Sequence, residues 1–159
     1  MSATVQLRVV RSGEDEFLEA AWGLKERIRR AEGVLKQRRG FFARAYRRAT
    51  VYAAVDRTGR LRGFAAARRD GYLLFLAVDP AHRGRGLGRQ LVAAVADDHD
   101  RVTCHARCTN EAAIGFYEHL GFEIVRRVSN YYEDGGDAYL LRLGDPPRLA
   151  DRLREFIPT

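Results

Sequence analysis

The chain has little cysteine, little proline and no long apolar run. Two cysteines in 159 residues are too few for a disulfide scaffold. Cys104 and Cys108 are also poorly spaced to pair along an extended segment: four residues then span about 13 Å, and a disulfide needs Cα atoms within about 7 Å. No apolar stretch approaches the roughly 20 residues that cross a bilayer. The opening Met1-Ser2-Ala3-Thr4-Val5 lacks a basic segment followed by an apolar one, so no secretory signal is expected. There is no internal repeat, low-complexity tract or Pro/Ser-rich linker. These absences lead to the expectation of a reduced, cytoplasmic protein that engages no membrane.

What is present suits a folded domain. A hydrophobic fraction of 46% with 31% charged residues fits a single domain over residues 1–159 with one hydrophobic core. The net charge of +7 is unevenly placed. Residues 1–70 hold 17 basic and 8 acidic side chains, and the remainder 11 and 13. The basic excess is densest from Lys25 to Arg48. Such a run either attracts an anionic partner, whether nucleic acid, a phosphorylated ligand or an acidic peptide, or forms a solvated helical face.

Local patterning gives a mixed α/β order. Val5–Val10 reads as a strand. Ser12, followed by Glu14 and Asp15, resembles a helix start with Ser12 as N-cap. Phe17, Leu18, Ala21, Trp22, Leu24 and Ile28 then lie on one helical face. Gly33 or Gly40 breaks this helix, and a second carries Phe41, Phe42, Ala45 and Tyr46. Thr50–Val55 and Leu61–Ala67 read as a hairpin about the turn Asp56-Arg-Thr-Gly59. Tyr72–Val78 is nearly all apolar, which predicts a central strand buried on both faces. Leu87, Leu91, Val92 and Val95 mark a helix. Val102–Ala106 is a strand, and Asn110–Leu120 a helix closed by Gly121. Phe122–Val128 and Ala138–Leu143 are the last strands, and 147–156 a final short helix.

The stretch Val78-Asp-Pro-Ala-His-Arg83-Gly84-Arg85-Gly86-Leu87-Gly88-Arg89 carries the most information. A strand ends, a glycine-rich turn follows and a helix begins. Unblocked backbone N–H groups at a helix N-terminus cradle an anion such as a pyrophosphate, and Arg83, Arg85 and Arg89 add positive charge. Gly-Lys-Ser/Thr is missing, which excludes a nucleoside-triphosphate P-loop. The spacing Gly84-x-Gly86-x-Gly88 is not the dinucleotide fingerprint either.

Arg83-x-x-Gly86-x-Gly88, after a strand ending Ala77-Val78-Asp79-Pro80, resembles the acetyl-coenzyme A motif of the GCN5-related N-acetyltransferases (GNAT). A second family segment follows at the right distance: Asn110-Glu-Ala-Ala113, then Phe116-Tyr117-Glu118-His119-Leu120-Gly121-Phe122. The resemblance covers about residues 50–143. Asn130-Tyr131-Tyr132 and Asp137-Ala138-Tyr139 are most similar to the ribosomal-protein alanine and archaeal N-terminal acetyltransferases. The implied fold is a mixed, mainly antiparallel seven-stranded sheet flanked by helices.

The resemblance also implies a chemistry. The backbones of Leu76 and Val78 pair with the pantetheine arm of acetyl-CoA at a splay in the sheet, with the Val78 N–H as oxyanion donor. Arg83, Gly84, Arg85, Gly86, Leu87 and Gly88 hold the pyrophosphate. Asn110 caps its helix and contacts the pantetheine. Tyr117, on the same helical face, is the candidate general acid; the alternative is a core aromatic. His105 stands where the nearest relatives place a Glu, two residues before Arg107, and is the candidate base. Tyr131 and Tyr132 line the acceptor groove, and Glu26 is a lesser acceptor-side candidate, otherwise an ordinary helix carboxylate. Cys104, His105, Cys108 and His99 make a poor zinc signature, so no metal is expected.

The activity so implied is acetyl transfer from acetyl-CoA to a primary amine by direct attack, foremost the N-terminal α-amine of a protein, in a ribosome-associated setting. The alternatives are a lysine or small-molecule amine as acceptor, or a non-catalytic basic module that binds nucleic acid or acts in regulation. Direct nucleic-acid binding is not expected while the glycines and Tyr117 are intact.

Overall fold

A computed structural model describes residues 5–144. The final helix expected over 147–156 lies outside the described residues. The chain runs β1 (Gln6–Val10), α1 (Leu18–Glu32), α2 (Arg39–Arg48), β2 (Thr50–Val55), β3 (Leu61–Ala67), β4 (Leu73–Val78), a 3₁₀ turn (Pro80–His82), α3 (Leu87–Asp97), β5 (Val102–Arg107), α4 (Glu111–His119), β6 (Glu123–Val128) and β7 (Ala138–Leu143). Strands β1 to β4 form one antiparallel sheet in chain order. Strands β5, β7 and β6 form a second, with β7 between its neighbours. The seven expected strands are present, divided four and three.

The period-two alternation of β2 and β3 gives their sheet two apolar faces. Val51, Ala53, Phe64 and Ala66 meet Leu24, Ile28, Phe42 and Tyr46 of α1 and α2 on one side. Tyr52, Ala54, Ala65 and Ala67 meet Leu87, Leu91, Val92 and Val95 of α3 on the other. Phe42 is wholly buried, with the rings of Trp22, Tyr46, Phe64 and Phe75 between 4.8 and 6.1 Å away. Burying one such side chain is worth about 1.5–3 kcal/mol.

Two expectations fail, each for a physical reason. Ser12 does not cap the first helix: its hydroxyl donates to the Arg48 carbonyl at 3.0 Å. Helix α1 starts later, after Phe17 in a left-handed conformation (φ 66°) with no side-chain cap. Strand β4 is not central but lies last in its sheet. Leu73, Phe75 and Ala77 are buried, while Leu74, Leu76 and Val78 are only half-buried.

The register of β4 accounts for this. Ala66 pairs with Phe75 and Ala67 with Leu73, so Leu74 is an extra residue and forms a β-bulge. A bulge bends its strand and re-aims the side chains that follow. Just before it, Tyr72 makes a parallel bridge to Thr103, and the Thr103 N–H donates to the Gly71 carbonyl at 3.1 Å. Past this bridge no ladder joins β4 to β5 among the described residues, and the sheets part.

Gly71 sits at the hinge of this arrangement. Its φ is +85°, and a Cβ there would overlap the Arg101 carbonyl oxygen. Gly71→Ala combines a left-handed backbone with a clash against main chain. It is expected to cost at least about 2 kcal/mol, read as a lowered midpoint in urea denaturation; a midpoint equal to wild type would show that the hinge relaxes freely.

Candidate active site

The opening between β4 and β5 leads to the glycine turn. Asp79, nearly buried, accepts from the Ala81 N–H at 3.0 Å and from Arg62 at 3.3 Å, and so fixes the end of β4. Gly84 and Gly86 have φ of +77° and +78°, and a Cβ on either would meet nothing within 4 Å. They are needed for backbone conformation, and the space above them is open. Gly86 is the N-cap of α3 and brings no side-chain cap. The first N–H groups of this helix therefore have no partner within it. Leu87, the first residue of α3, is buried.

Gly88, in the first turn of α3, also meets a packing need. A Cβ there would lie 3.1 Å from the Phe116 ring, so its lack of a side chain lets α3 pack on α4. Arg83 is committed to the protein: Nε donates to the Val78 carbonyl at 3.3 Å and Nη1 to Glu32 at 2.7 Å. Arg85 and Arg89 are exposed beside the turn.

Helix α4 is placed by Asn110, whose side chain accepts from the Ala113 N–H at 3.1 Å. This is the cap that the sequence leads one to expect. Tyr117, on the buried face of α4, packs edge-on against Phe116 and Phe122. The Cys104 thiol of β5 belongs to the same buried cluster. Burial holds the Tyr117 phenol well above its ordinary pKa and pushes the Cys104 thiol up to about 12. Tyr117 is thus a fully protonated donor at neutral pH.

Across β5, His105 joins residues from three elements. Its Nδ1 lies 2.6 Å from the Tyr72 hydroxyl. Its ring stacks on Tyr131, centroids 4.2 Å apart, and the hydroxyls of Tyr72 and Tyr131 are 3.3 Å apart. Burial, and then the nearby Arg126 charge, lower the His105 pKa, so the imidazole is neutral at pH 7. Burial raises the Tyr72 pKa. A protonated Tyr72 donates, so Nδ1 accepts and Nε2 carries the proton.

Tyr72 is the residue that the sequence reading missed. It follows a turn, belongs to no motif, and meets His105 only through the bridge of β4 to β5. Tyr132 packs against Tyr131 at 4.9 Å. Arg107 lies over the Tyr132 ring at 4.0 Å and donates to Asp134 at 3.0 Å. Burial pushes the Tyr132 phenol up to about 12.

Glu26 lies apart from these groups. Its carboxylate accepts from Arg29 Nε at 2.5 Å and is 3.8 Å from the Lys25 ammonium. No contact joins it to His105 among the described residues; its partners are the Arg29 and Lys25 cations of its own helix. Cys104 and Cys108 are free thiols. No group of three or more potential metal ligands occurs among the described residues.

Comparison with known proteins shows similarity to acetyltransferases. The acetyltransferase (GNAT) domain family matches residues 47–124. The human protein N-alpha-acetyltransferase 30 is 41% identical over 80 residues, 47% of this chain and 22% of that one. N-alpha-acetyltransferase RimI of Mycobacterium tuberculosis is 36% identical over 100 residues, 60% of each chain. The matches thus span less than two thirds of these curated relatives. Among solved structures, the ribosomal-protein alanine N-acetyltransferase of Escherichia coli superposes with a TM-score of 0.70 at 26% identity, covering 91% of this chain and 98% of that one.

The electrostatics of His105 can be checked directly. Its ring protons in an NMR titration are expected to report a pKa below the ordinary histidine value of about 6.5. Arg126→Glu should raise it by removing a cation and adding an anion, without cancelling the larger effect of burial. An imidazole titrating at or above the ordinary value in the wild-type chain would contradict the arrangement.

Proposed function

We propose, from the match of residues 47–124 to the acetyltransferase (GNAT) domain family, that the chain transfers the acetyl group of acetyl-CoA to a primary amine, the N-terminal α-amine of a polypeptide. The carrying observation is the pairing of a neutral His105–Tyr72 couple with a buried, protonated Tyr117 beside the β4–β5 opening.

The residues at hand fit acetyl-CoA. An uncapped helix N-terminus with two open, left-handed glycines suits its pyrophosphate,. Gly84, Arg85, Gly86, Leu87 and the N-terminal turn of α3 would hold it, with Arg83 bracing the turn against β4 and Gly88 seating α3. The free edge of β4 at Leu76 and Val78 suits the extended pantetheine arm, with Asn110 at the start of α4 as a further polar neighbour. Bound acetyl-CoA supplies a thioester, whose acyl carbon accepts the amine nitrogen and whose thiolate departs.

The protein's own groups manage the protons and charge. The acceptor amine must be neutral. At pH 7 this costs roughly 1 kcal/mol for an α-amine of pKa about 8, and roughly 4.6 kcal/mol for a lysine of about 10.4. Tyr72 can take a proton from the amine while passing its own to His105 Nδ1, which makes His105 the proton store. One such weak base suffices for an α-amine, not a lysine. The Val78 N–H would meet charge developing on the acyl oxygen, a contribution of about 3–4 kcal/mol. Tyr117 gives its proton to the leaving sulfur.

Tyr131 and Tyr132 offer flat walls for the first side chain of the acceptor. Ala, Ser and Met suit such walls, and the name of the E. coli neighbour makes a ribosomal-protein N-terminus one acceptor to try. The free Cys104 and Cys108 suit a reducing, cytoplasmic setting.

Coenzyme A release and mass spectrometry on short peptides test the reading. Peptides beginning with Ala, Ser or Met should be acetylated at the N-terminus, and blocking that terminus should abolish turnover even with an internal Lys. Acetyl found on the lysine of a free-terminus peptide would reassign the acceptor.

Tyr117→Phe keeps the ring packing and removes the hydroxyl. Turnover should fall by about 10²–10⁴-fold, with thermal stability changed by no more than about 1 kcal/mol. Turnover within about threefold of wild type would leave Tyr117 a core aromatic.

A further inference from the structure

The basic run between Lys25 and Arg48 contains a feature that the acetyl-transfer chemistry does not use. The loop 33–38 joining α1 to α2 borders a depression of about 470 Å³, within the range of small-ligand sites. Trp22, Glu26, Arg29, Lys36, Arg38 and Arg39 are among its lining residues. The loop is tied down from below. The wholly buried Lys25 donates from its ammonium to the Gln37 carbonyl, and lies 4.6 Å from the centre of the Trp22 ring. The depression is therefore a held surface rather than a chance gap between side chains.

Its cations are unequally committed. Arg29 is bound to Glu26, and Arg39 to Glu19. Lys36 and Arg38 are exposed, and neither forms an ion pair within 4.0 Å among the described residues. One ammonium and one guanidinium thus face solvent without an ion-pair partner within 4.0 Å among the described residues.

Loop 33–38 starts beside the end of β4: Glu32, the residue before it, accepts from Arg83 at 2.7 Å, and Arg83 Nε donates to the Val78 carbonyl at 3.3 Å. Tyr131 touches Tyr132, Tyr132 lies under Arg107, and Arg107 binds Asp134. Asp134 in turn lies within electrostatic reach of Lys36. A polypeptide whose first residue sits at Tyr131 would extend along this series toward loop 33–38.

Resting on the acceptor reading above, we propose that this depression docks a carboxylate side chain of the acceptor polypeptide, downstream of the reacting amine. Guanidinium and ammonium groups bind carboxylates through charge-assisted hydrogen bonds. A peptide is favoured over RNA because base stacking needs a free aromatic face. Trp22 already carries Lys25 and Arg39 over its ring, at 4.6 and 5.4 Å.

The test uses peptides with the same first two residues and either Asp, Ser or Lys at positions three to six. Steady-state kinetics on the wild-type chain should give a KM for the acidic peptide about tenfold below the serine peptide, with similar kcat and an advantage that shrinks with added salt. Lys36→Glu with Arg38→Glu should reverse the order in favour of the lysine peptide. Equal KM values for peptides that are all acetylated would overturn the docking site and leave the acetyltransferase reading intact. If none is acetylated, that reading fails, and calorimetric titration with the same peptides decides the docking site: tighter binding of the acidic one supports it, and equal or absent binding overturns it. A polyuridine oligonucleotide bound by wild type and lost in the double variant, with equal peptide KM values, would assign the depression to RNA.

Discussion

One parallel bridge, Tyr72 against Thr103, controls how the two sheets meet. It requires Gly71, whose carbonyl takes the Thr103 N–H, and it stands directly before the bulge at Leu74. The bridge draws β4 and β5 together at one end, and the bulge turns them apart beyond it. The opening used for the proposed chemistry is therefore a consequence of strand pairing, not of a separate loop. The same Tyr72 that forms the bridge also sets its hydroxyl on His105. Backbone register and proton handling thus depend on one residue.

The elements that local chemistry defines were legible in the sequence. The hairpin of β2 and β3 is one: Asp56 accepts from the amides of Thr58 and Arg60 at 2.9 and 3.0 Å, so its turn is written within five residues. The cap of α4 by Asn110 is another. Features that depend on distant partners were not legible. The Ser12 hydroxyl bonds Arg48, and no local rule can prefer that bond to a helix cap. Strand β4 was misread because an apolar run does not say what covers it. Leu76 and Val78 are apolar yet only half-buried on a strand at the sheet's edge, and an apolar edge strand looks in sequence like a central one,.

The glycine turn was legible as the link between a strand and a helix, but its three glycines divide into two kinds. Gly84 and Gly86 supply a left-handed backbone under open space, while Gly88 makes room for Phe116. The turn and α4 therefore form one packed unit. Phe116 and Tyr117 are neighbours on α4, so the contact that seats the start of α3 also bears on the phenol beside Cys104. Spacing alone reveals that glycines are present; only packing separates these two needs.

The candidate site is built from groups that burial keeps neutral. Tyr72, Tyr117 and Tyr132 are all raised by desolvation, and His105 is lowered by it. The charged pairs lie outside this set, at Arg107–Asp134, Arg127–Asp137 and Arg83–Glu32. A neutral interior bears on the choice of acceptor. It penalises any ammonium that enters still charged, and it offers one weakly basic imidazole to receive a proton. An α-amine is close enough to neutrality at pH 7 to meet that condition, whereas a lysine would need a stronger or second base. The local electrostatics and the acceptor reading thus share one cause: desolvation at the junction of β4, β5 and α4.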